Sequence, residues 1–249
     1  MVGENETIDI PRDSSVGVLL LHGLFGTPNE LHVLGGVLAD AGYRVRIPLL
    51  PGRGERWDDL DRLSWDDVRD AMRHELELVA NEHEHVVLGG LSAGATLALD
   101  LALTHRPSAL LLYAPALVVR RPIVALAPYL WRVLPRFPFT VEGPVRRDRI
   151  PTRAVGELVR GIQRVRARLG EIDAPALVIH AREDPLVDVS SAERIARELG
   201  GPVELQLIDA PTHALTFGSE RDHVAALTLA FLRAQVPARP RSGAPAALP

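Results

Sequence analysis

Six short apolar runs recur along the chain, separated by longer stretches in which apolar side chains return every three or four positions. The runs are Val16–His22 (VGVLLLH), Tyr43–Leu49 (YRVRIPL), Val86–Leu91 (VVLGGL), Ala109–Tyr113 (ALLLY), Ala176–Ala181 (ALVIHA) and Val203–Ile208 (VELQLI). A strand that is apolar on both faces must be covered on both faces, which is the condition of a parallel sheet between two helical layers. The stretches with helical spacing are Pro28–Ala41, Trp65–Asn81, Ala93–His105, Leu158–Leu169, Ser191–Leu199 and Asp222–Arg233. In the first, Leu31, Leu34, Val37 and Leu38 share a face; in the second, Val68, Met72, Leu76 and Val79 do. This alternation predicts an α/β fold with a doubly wound, mostly parallel sheet. A further strand is expected near Thr7–Ile10, and no internal repeat is visible.

Two segments break the alternation. Pro115–Val155 carries Pro115, Pro122, Pro128, Pro135, Pro138, Pro144 and Pro151, together with Tyr129, Trp131, Phe137 and Phe139. Disordered linkers are poor in aromatic residues, so this stretch is expected to be an ordered insertion over the sheet. The tail Pro237–Pro249 (PARPRSGAPAALP) has too little apolar surface to join a core and is expected to be disordered. The 249 residues then read as one domain over residues 1–236 with a cap at about 115–155.

Composition narrows the function. A net charge of −4 gives no general electrostatic case for a nucleic-acid partner. Cysteine is absent, which removes disulfides, thiolate metal sites and a cysteine nucleophile. All 28 basic residues are arginine, so P-loop, Schiff-base and Ser-x-x-Lys chemistry is excluded as well. Met1–Asp13 is polar and acidic, unlike a signal peptide. Val16–Leu21 and Ala109–Val119 fall short of the roughly 18 apolar residues of a membrane span. The expected location is the cytoplasm.

The sharpest local signal is Gly90-Leu91-Ser92-Ala93-Gly94, between a predicted strand and a predicted helix. A nucleophile on so tight a turn needs small neighbours, and Gly90, Ala93, Gly94 and Ala95 supply them. The turn would lift the Ser92 hydroxyl clear of the sheet over a helix N-terminus. Serine needs a base. Among nine histidines, His213 lies in the loop after the last predicted strand, at the sheet edge where ligands bind. The base needs an orienting carboxylate: Asp184, just past Ala176–Ala181, is the first candidate, with Asp188 and Asp209 as rivals. The backbone N–H of Ala93 and that of Leu24, or alternatively Phe25, are candidate donors to an oxyanion. Gly23 and Gly26 allow that loop to approach a ligand closely. His22 and His180 end strands on the same edge and read as structural or pocket-lining. His83-Glu84-His85 reads as a solvated turn rather than a metal pair, and no metal ligand set is expected. Arg160, Arg164 and Arg168 read as one exposed helix face.

Taken together, the HGLFGTP loop, the GLSAG elbow, the late ALVIHAREDP segment and His213 resemble the α/β-hydrolase family over roughly residues 14–235. The likeness is nearest to its bacterial carboxylesterase and monoacylglycerol lipase branch. The resemblance implies a triad of Ser92, Asp184 and His213, with Leu24 and Ala93 as oxyanion amides and 115–155 as the cap. It implies a two-step acyl transfer on a small-molecule acyl ester, with no metal or organic cofactor. Phe25, Tyr129 and Trp131 are the expected substrate-binding aromatics. The apolar stretch Pro122–Phe139 also suggests transient contact with a lipid surface. The arginines at 120, 121, 132, 136, 146, 147, 149 and 153 read mainly as a solvated face. The same triad could serve a thioesterase, acyltransferase, perhydrolase or C–C bond hydrolase. A non-catalytic binder on the same fold has no chemical need for all three side chains.

Overall fold

Seven strands, the shortest of three residues, build the sheet that carries the site. The computed structural model describes residues 6–52, 57–137 and 150–240. In chain order the strands are β1 (Ile8–Ile10), β2 (Val16–Leu21), β3 (Arg44–Ile47), β4 (His85–Leu91), β5 (Ala109–Tyr113), β6 (Arg136–Phe137), β7 (Ile150–Pro151), β8 (Ala176–Ala181) and β9 (Val203–Ile208). The helices are α1 (His32–Asp40), α2 (Trp65–Glu82), α3 (Ala93–Ala102), α4 (Ala127–Leu130), α5 (Thr152–Arg166), α6 (Ser190–Glu198) and α7 (Arg221–Gln235). The main sheet runs β1-β3-β2-β4-β5-β8-β9. It is parallel except for β1, which pairs antiparallel with β3; β6 and β7 form a separate ribbon in the cap.

Side chains alternate across the strands. Val16, Val18 and Leu20 of β2 join Leu34 and Leu38 of α1 and Phe231 and Leu232 of α7 in one apolar layer. Leu19 and Leu21 join Met72 and Leu76 of α2, Leu97 and Leu101 of α3, Val165 of α5 and Ile195 of α6 in the other. Both faces of β2, β4, β5 and β8 are therefore covered, which is why their sequences read as unbroken apolar runs. Since the strands are parallel, the loops that follow β2, β4, β8 and β9 emerge along one edge.

The α3 helix, which carries the elbow, is tied down at its far end. Asp100 is buried, accepts the Trp65 indole N–H at 2.6 Å and lies 3.5 Å from the Arg164 guanidinium. Gly161 of α5 faces the same indole, where a Cβ would come within 2.2 Å of the ring.

Several boundaries differ from expectation. The stretch Pro28–Ala41 divides into a 3₁₀ turn, Pro28–Glu30, and α1, because Glu30 turns inward to the preceding loop. The helix α5 begins at Thr152, six residues before the expected Leu158, and its early turns bury Ala154 and Val155. The end of the predicted cap segment is thus the start of this helix. Arg168 lies beyond α5 and pairs with Glu171, while Arg164 pairs with Asp66. Residues 237–240 of the expected disordered tail run against the sheet: Arg239 accepts from the Ser15 amide at 2.6 Å, and Ala238 packs on the core. Residues 241–249 and the cap stretch 138–149, with Phe139 and the arginines at 146, 147 and 149, lie outside the described residues.

Trp65→Phe keeps most of the apolar bulk and removes the donor to Asp100. It should lower unfolding free energy by about 1–3 kcal/mol, read from urea denaturation.

Candidate active site

The elbow is strained where the sequence asks for it. Ser92 adopts φ 57° and ψ −118° between the end of β4 and the first residue of α3. A non-glycine residue at positive φ costs of order 1–3 kcal/mol and persists only when its surroundings hold it there. Here the Ser92 N–H donates to the Tyr113 carbonyl at 2.8 Å, and its own carbonyl accepts from Thr96 and Ala116. Gly94 lets α3 press against β2: a Cβ there would lie 2.0 Å from the Leu21 carbonyl oxygen. Ala93 is the first helical residue, so its N–H has no partner within the helix.

The acid loop follows β8. Asp184 is fully buried, and both of its oxygens are engaged. Oδ1 accepts from the Leu186 and Val187 amides at 2.8 and 2.9 Å, and Oδ2 lies 2.6 Å from His213 Nδ1. Burial pushes this carboxyl up, but the hydrogen bond and charge attraction to His213 and the two amides outweigh it, and the group sits below its ordinary range. The two rival acids lie elsewhere. Asp209 is exposed and pairs with Arg182; Asp188 binds the Ser190 amide and faces Arg120.

Two more histidines brace this edge. His22 is buried and accepts the Leu50 N–H at Nε2, so its Nδ1 carries the proton and donates to the Gly23 carbonyl at 2.8 Å. His180 is buried beneath the acid, with Nε2 3.9 Å from Asp184 Oδ2 and 3.4 Å from the Val187 carbonyl. Burial pushes its pKa down. His83, expected in a solvated turn, is buried instead and sits 2.9 Å from the Ser14 carbonyl, because it fills the space left by Gly17.

Ser92, Ala93, His213, Gly23, Leu24 and Phe25 all line one cavity of about 120 Å³. Its remaining wall is mostly aliphatic: Val119 and Val124 from the cap, Val155 and Leu158 from α5, Leu186 and Val187 from the acid loop, and Phe217. Tyr129 and Trp131 are not part of this wall. Tyr129 is 80 % exposed, and Trp131 stacks with the guanidinium groups of Arg132 and Arg153. The cap meets the cavity through the 3₁₀ turn Pro122–Leu126, whose inward residue is Val124. The helix α4 that follows points its aromatic side chain away.

A family model described as serine aminopeptidase, S33, matches residues 140–220. The thermostable monoacylglycerol lipase of Bacillus sp. (strain H-257) is 29% identical over 192 residues, 74% of this chain and 76% of that one. The carboxylesterase of Bacillus subtilis (strain 168) is 26% identical over 219 residues, 83% of this chain and 88% of its own. Among solved structures, one from the work on the metagenome-derived lipolytic enzymes LipS and LipT superposes with a TM-score of 0.85 at 23% identity. That match covers 93% of this chain and 98% of the other. The chain has the α/β-hydrolase fold.

Two residues bear on the candidate site that sequence reasoning did not single out. Glu30 lines the cavity with its carboxylate turned inward; on paper it is only an acidic residue in a first helical turn. Arg120 donates from Nε to the Asp184 carbonyl at 2.6 Å. Nothing in its spacing sets it apart from the other arginines of that segment.

A carboxylate whose pKa falls on folding stabilises the native state at pH above its ordinary value of 3.8, and loses that contribution as pH drops through the native value. The stability difference between the wild type and Asp184→Asn should therefore be constant at neutral pH and shrink below 3.8. Urea unfolding of both proteins across the acid range reads it directly.

Proposed function

We propose that this hydrolase cleaves carboxylic esters through an acyl-enzyme on Ser92, with monoacylglycerols or similar acyl esters as substrates. The observation that carries the reading is the 2.6 Å contact between His213 and buried Asp184, on a cavity whose wall also holds the strained Ser92. As Ser92 Oγ attacks the ester carbonyl, His213 takes its proton. The imidazolium that forms is steadied by Asp184 at Nδ1. The carbonyl oxygen, now negative, faces the N–H groups of Ala93 and Leu24. His213 then returns the proton to the leaving alcohol, and water repeats the sequence to free the acid. The aliphatic cavity wall, with Phe25 among its residues, suits an acyl chain. The likeness to Bacillus monoacylglycerol lipase and carboxylesterase supports the substrate class.

Aggregated acyl lipids are the partner that the cap surface fits. Ile123 and Leu126 are exposed on the 3₁₀ turn that carries Val124 to the cavity, Tyr129 on α4 and Val133 in the turn that follows it. No acidic residue occurs from Ala114 to Val141, while Arg120, Arg121, Arg132 and Arg136 do. An exposed apolar face of this kind, at the mouth of an apolar cavity, lets a substrate pass from a lipid surface without crossing water. No helix among the described residues is long and apolar enough to cross a membrane.

Ser92→Ala should lower kcat by roughly 10⁵- to 10⁶-fold and abolish labelling by a fluorophosphonate probe, with the fold unchanged by circular dichroism. Asp184→Asn should lower kcat by about 10³- to 10⁴-fold at pH 7. Full turnover by the Ser92 variant would end the reading. The double substitution Tyr129→Ser and Val133→Ser should slow hydrolysis of emulsified monoacylglycerol severalfold and leave a soluble short-chain ester unaffected. Equal rates on the emulsion would remove the surface role.

A further inference from the structure

Glu30 closes the 3₁₀ turn after the first loop, and only 6 % of it is exposed. A carboxylate so deep is tolerated when donors surround it. Its Oε2 accepts the Gly23 N–H at 2.9 Å. Gly26 rests on the same group: a Cβ there would fall 2.0 Å from Oε2 and 2.1 Å from Oε1. Gly23 and Gly26 flank Leu24 and Phe25, so both ends of the candidate oxyanion loop bear on one carboxylate.

The peptide geometry turns that contact into a direction. The Gly23 carbonyl and the Leu24 N–H belong to one planar trans unit, so they point opposite ways. The carbonyl is held by His22 Nδ1 at 2.8 Å and by the Gly26 N–H at 3.0 Å. Glu30 fixes the preceding N–H. With both sides of Gly23 bound, the Leu24 N–H has one orientation. The Glu30 backbone carbonyl also accepts from Thr216 Oγ1 at 2.7 Å. Thr216 is buried three residues beyond His213. One residue thus joins the loop of the candidate oxyanion donor to the loop of the candidate base.

We propose that Glu30 is a positioning residue that aims the Leu24 amide at the developing oxyanion and sets its distance from the His213 loop. This rests on the serine-hydrolase reading, in which that oxyanion forms. Glu30→Gln retains an acceptor for the Gly23 N–H; Glu30→Leu retains bulk without one; Glu30→Asp is one methylene too short to reach. The Leu and Asp variants should lose on the order of 10- to 100-fold in kcat, short of the 10²–10³ lost with a whole oxyanion donor. KM should stay within about twofold, and affinity for an alkyl trifluoromethyl ketone, whose adduct fills the oxyanion site, should fall by the same factor as kcat. Glu30→Gln should recover most of both. A merely structural role would lower the melting temperature and spare kcat per folded molecule.

The Asp variant serves where the Leu variant does not fold. Folded variants with wild-type kcat and wild-type ketone affinity overturn the proposal, as does a loss confined to KM. Failure of the underlying reading looks different: the wild type itself would not be labelled at Ser92 by the fluorophosphonate.

Discussion

The close approach of α3 to β2 sets the rest of the site. Gly94 brings the helix against the Leu21 carbonyl, and the chain can reach that contact from β4 only by passing through an unfavourable conformation at Ser92. The strain is local, while the forces that hold it are spread through the apolar layers on both faces and the buried Asp100 anchor at the far end of α3. A serine in a relaxed turn at this place would lie along the helix as an ordinary cap. Held at positive φ, it stands over the helix N-terminus, whose amides and dipole favour negative charge.

Around that point, the buried Asp184 and His22 are matched by partners rather than merely close to them. Asp184 meets two amides and an imidazole. His22 divides its two ring nitrogens between a donor and an acceptor, which fixes its tautomer without a second side chain. Such saturation would lower the reorganisation needed as charge moves in the proposed acyl transfer. It also explains why the acid can be wholly buried and still remain ionised at neutral pH.

Much of this was legible in the residues. The solid apolar runs announced β2, β4, β5 and β8 because two-sided burial leaves no polar positions, and three strands match their expected limits to the residue. The GLSAG turn and His213 were readable because small neighbours and a late loop after a strand are local facts. Position within a loop was less so: Asp184, Asp188 and Asp209 differ only in which way the chain turns after β8 and β9, and that is decided by amides that sequence does not display. The cap misled most. Tyr129 and Trp131 looked like pocket aromatics by composition, yet a four-residue helix, α4, has one inward face, and Ala127 occupies it. Glu30 was hidden for the converse reason, since an acidic residue at a helix start is usually solvated.

The base of the cap is sewn to the acid loop. Val119 bridges to Val187, the Val118 carbonyl accepts from Asp188, and Arg120 donates to both the Leu186 and Asp184 carbonyls. Residues 118–120 therefore belong mechanically to the scaffold of the candidate site, although they lie within the inserted segment by sequence. A chimera that exchanges lids with a relative would need its junction after Arg120; a splice at Pro115 would carry part of the carboxylate's support away with the lid.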